Sequence, residues 1–151
     1  MGRGKGEGFN VNVPLTTGCG DSEYGNIFRT ILGPMALEYQ PQLILVSAGF
    51  DTHHDDPLGG MSVTERGFSR MTQILMEVAE ATAQRKIVMT LEGGYDVVGQ
   101  SRSVKGVLKE LAGLSSLEKK DLLEKEESNY SRIEKVVLQI KDIQRRYWKS
   151  L

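Results

Sequence analysis

Asp51 and Tyr95 stand where an α/β protein would expose reactive groups. Asp51 directly follows the apolar run Leu43-Ile44-Leu45-Val46-Ser47-Ala48-Gly49-Phe50. Tyr95 follows a second run, Lys86-Ile87-Val88-Met89-Thr90-Leu91, after Glu92-Gly93-Gly94. Open parallel sheets bind ligands beyond the carboxyl ends of their strands, so both residues belong on one sheet edge. Turn geometry alone also favours Asp and Gly-Gly at such places. Metal binding is the chemistry first suggested by Asp51-Thr52-His53-His54-Asp55-Asp56. Adjacent residues seldom converge on one ion, however, so His53, His54 and Asp55 read as solvated loop. Cys19 is a conceivable nucleophile, but no histidine is near it in sequence and an incidental thiol is the simpler reading.

The elements that must position these groups alternate. Residues 10–15 (Asn-Val-Asn-Val-Pro-Leu) alternate polar and apolar, as a short strand stopped by Pro14 would. Asp21 or Ser22 can cap a helix with Ile27, Ile31, Leu32, Met35 and Leu37 on its apolar face; Gly33-Pro34 should kink or divide it. The run at 43–50 has the continuous apolar character of a strand buried on both faces. Thr64 should cap a helix through about residue 83, with Phe68, Met71, Ile74, Leu75, Val78 and Ala79 at helical spacing. The run at 86–91 is a second buried-type strand, followed by a helix over 97–112 closed by Gly113. Three strands alternating with helices predict an α/β fold with a parallel sheet and right-handed crossovers.

Composition sets bounds. The chain has 151 residues, 39% of them hydrophobic and 26% charged, with a net charge of -1. That length suits one domain with a real core, and that charge gives no global field for nucleic acid. A single cysteine makes no internal disulfide and suits a reducing compartment. No apolar run approaches the roughly 20 residues that cross a bilayer. The opening eight residues are half glycine, without a signal-peptide core, and read as a loop continuing from something upstream. Residues 118–127 are almost all charged and read as a solvated linker. Ile133, Val136, Val137, Ile140, Ile143 and Tyr147 then mark an amphipathic helix that should dock on the main body or a partner. The organisation expected is a domain over 1–114 and a linker with a terminal helix over 115–151. Trp148 should pack a helix end. Asp21 and Tyr24 are expected to cap and pack, and Glu92 could support Tyr95 or be simply exposed.

The motifs carry a resemblance. Asn12-Val13-Pro14-Leu15, Gly20-Asp21-x-x-Tyr24, Ser47-Ala48-Gly49-Phe50-Asp51, Asp56-Pro57-Leu58-Gly59-Gly60 and Leu91-Glu92-Gly93-Gly94-Tyr95 occur in this order. From about residue 6 to 113 the chain resembles the C-terminal part of the histone deacetylase and acetylpolyamine amidohydrolase family, in its class II-like branch. The resemblance implies the C-terminal part of an arginase/deacetylase-like, three-layer, parallel-sheet domain. It implies that Asp51 is a zinc ligand and that the Tyr95 hydroxyl stabilises the tetrahedral oxyanion. Gly93 and Gly94 would let the backbone pass close to the substrate channel, Leu58 would line its mouth, and Asp56 and Pro57 would shape that loop. The reaction implied is zinc-assisted hydrolysis of acetyl-lysine or a polyamine-type acetylated amine, with a histidine as base. The related arginase pattern asks for Asp-x-Asp at Asp51; here the third position is His53, and Gly-Gly-Tyr follows the next strand.

Some of the family's parts are missing. Its other zinc ligands, an Asp-x-His pair, lie upstream, as do its proton-handling histidines. The only histidines here are His53 and His54. A catalytic zinc normally has three protein ligands, so the chain is expected to be a fragment, inactive alone. A non-catalytic scaffold that self-associates or pairs with an N-terminal half is the second expectation. A cytoplasmic location is expected, with the nucleus left open.

Overall fold

The apolar runs ending at Ala48 and Leu91 pair side by side. β1 (Ile44–Ala48) and β2 (Ile87–Leu91) run parallel, with Ile44 opposite Ile87 and Ala48 opposite Leu91. The computed structural model describes residues 2–115, 117, 123, 124, 126, 127 and 130–151. Its helices are α1 (Asp21–Ile27), α2 (Gly33–Tyr39), α3 (Glu65–Thr82), α4 (Val97–Leu111) and α5 (Glu134–Gln144). α3 is the crossover between the strands. The Thr64 hydroxyl oxygen accepts the Arg66 N–H at 3.2 Å and caps its start.

Gly33-Pro34 neither breaks nor sharply divides its helix. The backbone widens into a π-helical turn over Phe28–Leu32, and the Gly33 N–H reaches back to the Phe28 carbonyl. Proline lacks an N–H and crowds the carbonyl four residues before it. The wide turn spares Pro34 that fourth-residue contact, and the helix continues as α2.

Two expectations are corrected. Residues 10–15 form no strand among the described residues. Their alternation survives, because Val11, Val13 and Leu15 pack on a core while Asn12 and Pro14 are exposed. Among the described residues no strand ladder includes this segment. Among the described residues two strands are thus found where three were expected. The strands are also not covered on both faces. Ala48 and Met89 turn toward Phe50, Phe68 and Val107, on or beside α3 and α4. On the other face Leu45 is 72% and Val88 51% exposed.

A second core joins Ile27, Ile31 and Met35 to Ile133, Val137, Ile140 and Trp148. The amphipathic terminal helix therefore docks on the main body. Trp148 closes it as expected, donating its ring N–H to the Gly8 carbonyl at 2.9 Å. Within the stretch expected to be a solvated linker, residues 118–122 and 125 lie outside the described residues. Glu126 is described, and it is buried. Its carboxylate accepts from Arg70 Nε at 2.8 Å and Arg29 Nε at 3.1 Å. Its own carbonyl accepts from Asn26 Nδ2 at 2.8 Å. Gly25 has no side chain where a Cβ would sit 2.5 Å from Glu126 Oε1. The charge pattern of the linker hid one residue with two cationic partners.

Removing one partner of a buried ion pair leaves a desolvated charge, here on Arg70. Glu126→Ala should therefore lower the unfolding free energy by about 3 kcal/mol. Urea denaturation followed by circular dichroism measures it. A loss below about 0.5 kcal/mol would place this contact with surface pairs of little worth.

Candidate active site

Both strands end at the same edge, and the chain beyond them stays paired. The Glu92 N–H donates to the Ala48 carbonyl at 3.0 Å, and the Phe50 N–H donates to the Gly93 carbonyl at 2.9 Å. The loops bearing Asp51 and Tyr95 therefore leave the sheet alongside one another.

Asp51 is half-buried among glycines. A Cβ on Gly93 would lie 2.7 Å from Asp51 Oδ2, and one on Gly49 would lie 3.1 Å from Oδ1. A Cβ on Gly59 would lie 1.6 Å from the Asp51 carbonyl oxygen, so only glycine fits there without moving backbone. Gly94 has φ +125°, a conformation open to glycine. Gln100 Nε2 donates to the Gly94 carbonyl at 3.1 Å and ties this turn to α4. Tyr95 follows with 60% of its surface exposed, and Leu58 has 71% exposed. Both thus present themselves to solvent at the edge where Asp51 sits. Glu92 is exposed.

Asp56, expected to shape its loop, does so and more. Its Oδ1 accepts from the Leu58 N–H at 2.9 Å and the Gly59 N–H at 3.1 Å. Its Oδ2 crosses to the other loop and accepts from the Tyr95 N–H at 2.6 Å and the Asp96 N–H at 3.4 Å. Burial pushes this carboxyl up, but the donors at Tyr95, Leu58, Gly59 and Asp96 outweigh it and hold it below its ordinary value. Asp-Pro-Leu-Gly signals the turn; nothing in the sequence signals the reach to Tyr95.

His53 corrects the solvated-loop reading. It is 2% exposed, with its ring stacked on Phe68 at 6.5 Å. A Cβ on Gly99 would lie 2.4 Å from its Nδ1, so α4 approaches closely only because residue 99 is glycine. Nδ1 accepts the Asp55 N–H at 3.2 Å, and Nε2 faces Glu65 Oε2 at 3.8 Å, too long for a hydrogen bond. His54 and Asp55 are exposed, as expected. Atoms of His53, His54 and Asp55 lie within 4.8 Å of one another. However, His53 Nδ1 already has the Asp55 amide as a partner.

Asp21 does not cap its own helix through its side chain. It accepts the Thr64 N–H at 2.7 Å and the Thr64 hydroxyl at 2.6 Å, joining the starts of α1 and α3. Glu23 instead accepts the Gly20 N–H at 2.8 Å. Tyr24 is half-buried; burial first, then the nearby Cys19 and Asp51, raise its phenol above the ordinary value. Cys19 is buried in the second core.

Zinc takes three or four ligands in proteins. Among the described residues, no group of three His, Cys, Asp or Glu side chains includes Asp51. Around Asp51 the described residues therefore do not assemble a three-ligand set, and the cluster of His53, His54 and Asp55 lies apart from it.

A family profile described as the histone deacetylase domain matches residues 1–111. Histone deacetylase 18 of Arabidopsis thaliana is 48% identical over 104 residues, covering 68% of this chain and 15% of that protein. A probable deacetylase of Archaeoglobus fulgidus is 34% identical over 157 aligned positions, covering 98% of this chain and 44% of that protein. The crystal structure of the HDA15 HD domain superposes with a TM-score of 0.81 at 34% identity, covering 99% of this chain and 38% of that one. The chain thus spans less than half the length of each of these relatives, and its fold is of the α/β arginase/deacetylase type. With the profile matching most of its length and the two strand ends carrying the Asp51 and Gly-Gly-Tyr95 motifs side by side, the chain belongs to the histone deacetylase family.

Proposed function

We propose that this chain supplies Asp51 and Tyr95 to the site of a zinc-dependent deacetylase acting on acetyl-lysine or a smaller, polyamine-type acetylated amine. The observation that supports it is the paired exit of the two loops, fixed by the Phe50–Gly93 hydrogen bond and by the bare α-carbon of Gly93 beside Asp51. Asp51 offers one carboxylate to the metal. The Tyr95 hydroxyl, free to turn outward, donates to the acetyl oxygen as negative charge gathers on it. A preorganised donor of this kind contributes roughly 3–4 kcal/mol to the transition state. Leu58, exposed on the neighbouring loop, gives the acyl-bearing chain an apolar wall. Gly93 and Gly94 keep the floor of the channel free of side chains.

The remaining ligands and the base must come from outside the residues described. His53 is enclosed by Phe68 and α4, which leaves it no access to a water at the Asp51–Tyr95 edge. This chain alone is therefore proposed to be an inactive part of a longer domain, working in the cytoplasm or nucleus. A second reading, a non-catalytic piece that pairs with an N-terminal half or with itself, draws on the exposed Leu45 and Val88 and on the open edge of β1. Unpaired strand edges seek partners.

The purified 151-residue chain should hold no stoichiometric zinc and should not hydrolyse a fluorogenic acetyl-lysine peptide. Turnover that Asp51→Ala and Tyr95→Phe both abolish would show that the chain recruits further ligands, and would end the claim of inactivity. In an assembly that carries the missing ligands, Tyr95→Phe should lower kcat about 100- to 1,000-fold. Light scattering tests the second reading. The chain should associate at high concentration, and Leu45→Lys with Val88→Lys should return it to monomer; a clean wild-type monomer would remove that reading.

A further inference from the structure

Tyr95 is attached to the rest of the site by more than its own strand. The glycines before it, Gly93 and Gly94, carry no side chains that could anchor the turn by packing. A mobile turn would let the phenol wander, and loss of about an ångström of placement is costly in catalysis. The structure holds the turn in two ways. Gln100 grips the Gly93 and Gly94 carbonyls from α4 at 3.4 and 3.1 Å. Asp56 grips the Tyr95 and Asp96 amides from the opposite loop.

We infer that Asp56 is a positioning residue for Tyr95, a buried carboxylate whose Oδ2 locks the Tyr95 and Asp96 amides while its Oδ1 locks Leu58 and Gly59, so that the phenol and the Leu58 wall keep a fixed separation. The inference rests on the reading of Tyr95 as the oxyanion donor. It assigns Asp56 no contact with substrate.

The division of labour between the two oxygens gives the carboxylate its role. Asp56 is 8% exposed, and backbone amides from two loops converge on it. Bonds from N–H groups to a charged acceptor are about twice as strong as neutral ones. Asp96 also opens α4, accepting the Gly99 N–H on its side chain. Asp56 therefore lies at the positive end of a 15-residue helix, where a negative charge is favoured. Both loops are thereby held to one group that belongs to neither the sheet nor the reacting atoms.

Asp56→Asn separates this role from loop shaping. An amide has one acceptor oxygen in place of two. Keeping that oxygen on its near neighbours Leu58 and Gly59 turns the NH₂ toward the Tyr95 and Asp96 amides, donor against donor. In isotope-labelled Asp56→Asn protein, amide hydrogen exchange at Tyr95 and Asp96 should accelerate about tenfold or more, while Leu58 and Gly59 stay protected. In the wild-type chain, a scalar coupling across the hydrogen bond should connect the Tyr95 amide nitrogen with the Asp56 carboxylate carbon. That measurement decides the matter even if the variant does not fold. Absence of the coupling, or unchanged Tyr95 exchange in a folded variant, overturns the inference. In a catalytically complete assembly, Asp56→Asn should lower kcat with little change in KM. Full kcat in Asp56→Asn, where Tyr95→Phe is inactive, overturns the positioning role. Turnover surviving Tyr95→Phe overturns the oxyanion reading and, with it, any catalytic purpose for the brace.

Discussion

The parallel register of β1 and β2 is the constraint on which the site depends. Pairing Ala48 with Leu91 brings two chain segments more than forty residues apart to one edge. Every later contact builds on that alignment. The Glu92–Ala48 and Phe50–Gly93 bonds continue it beyond the strands, and Gly93 can pass Asp51 only because the loops are already in step. A shift of one residue would turn each side chain to the other face of the sheet. The Phe50–Gly93 bond would then be lost, and Gly93 would no longer pass beside Asp51.

Much of this was legible in the sequence because it rests on local signals. The apolar runs, the Thr64 cap and the two strand-end motifs gave the α/β order and the edge. The failures have physical causes. Residues 10–15 alternate like a strand because one side of an extended chain packs on a core, and alternation does not reveal whether a neighbouring backbone completes the ladder. The run at 43–50 reads as buried on both faces, but an apolar side chain records what the sheet is suited to meet, not what this chain can supply. Leu45 and Val88 are apolar and bare.

Polar residues with distant partners were the hardest to read. Asp21 looked like a cap for its own helix and instead bonds Thr64, 43 residues away. Glu126 sat in a run of charges that suggested solvent, yet it meets Arg70 and Arg29 in the interior. His53 stood among exposed neighbours, and its burial depends on the absent side chain of Gly99. Asp56 showed its turn but not its hold on Tyr95. A buried polar group must find partners, but the sequence does not say how far along the chain they lie.

The terminal segment closes back on the beginning of the chain. Tyr147 donates its hydroxyl to Glu7 at 2.7 Å, Trp148 bonds the Gly8 carbonyl, and Phe9, Tyr39 and Trp148 meet edge to face. During synthesis, the first half of the polypeptide leaves the ribosome long before the residues that complete its second core. At about 5–20 residues per second, Ile27 and Ile31 wait several seconds without their covering layer. Contacts between such distant residues also slow folding. Newborn copies therefore pass through a stage in which this apolar surface lacks the partners that Ile133, Val137, Ile140 and Trp148 later supply.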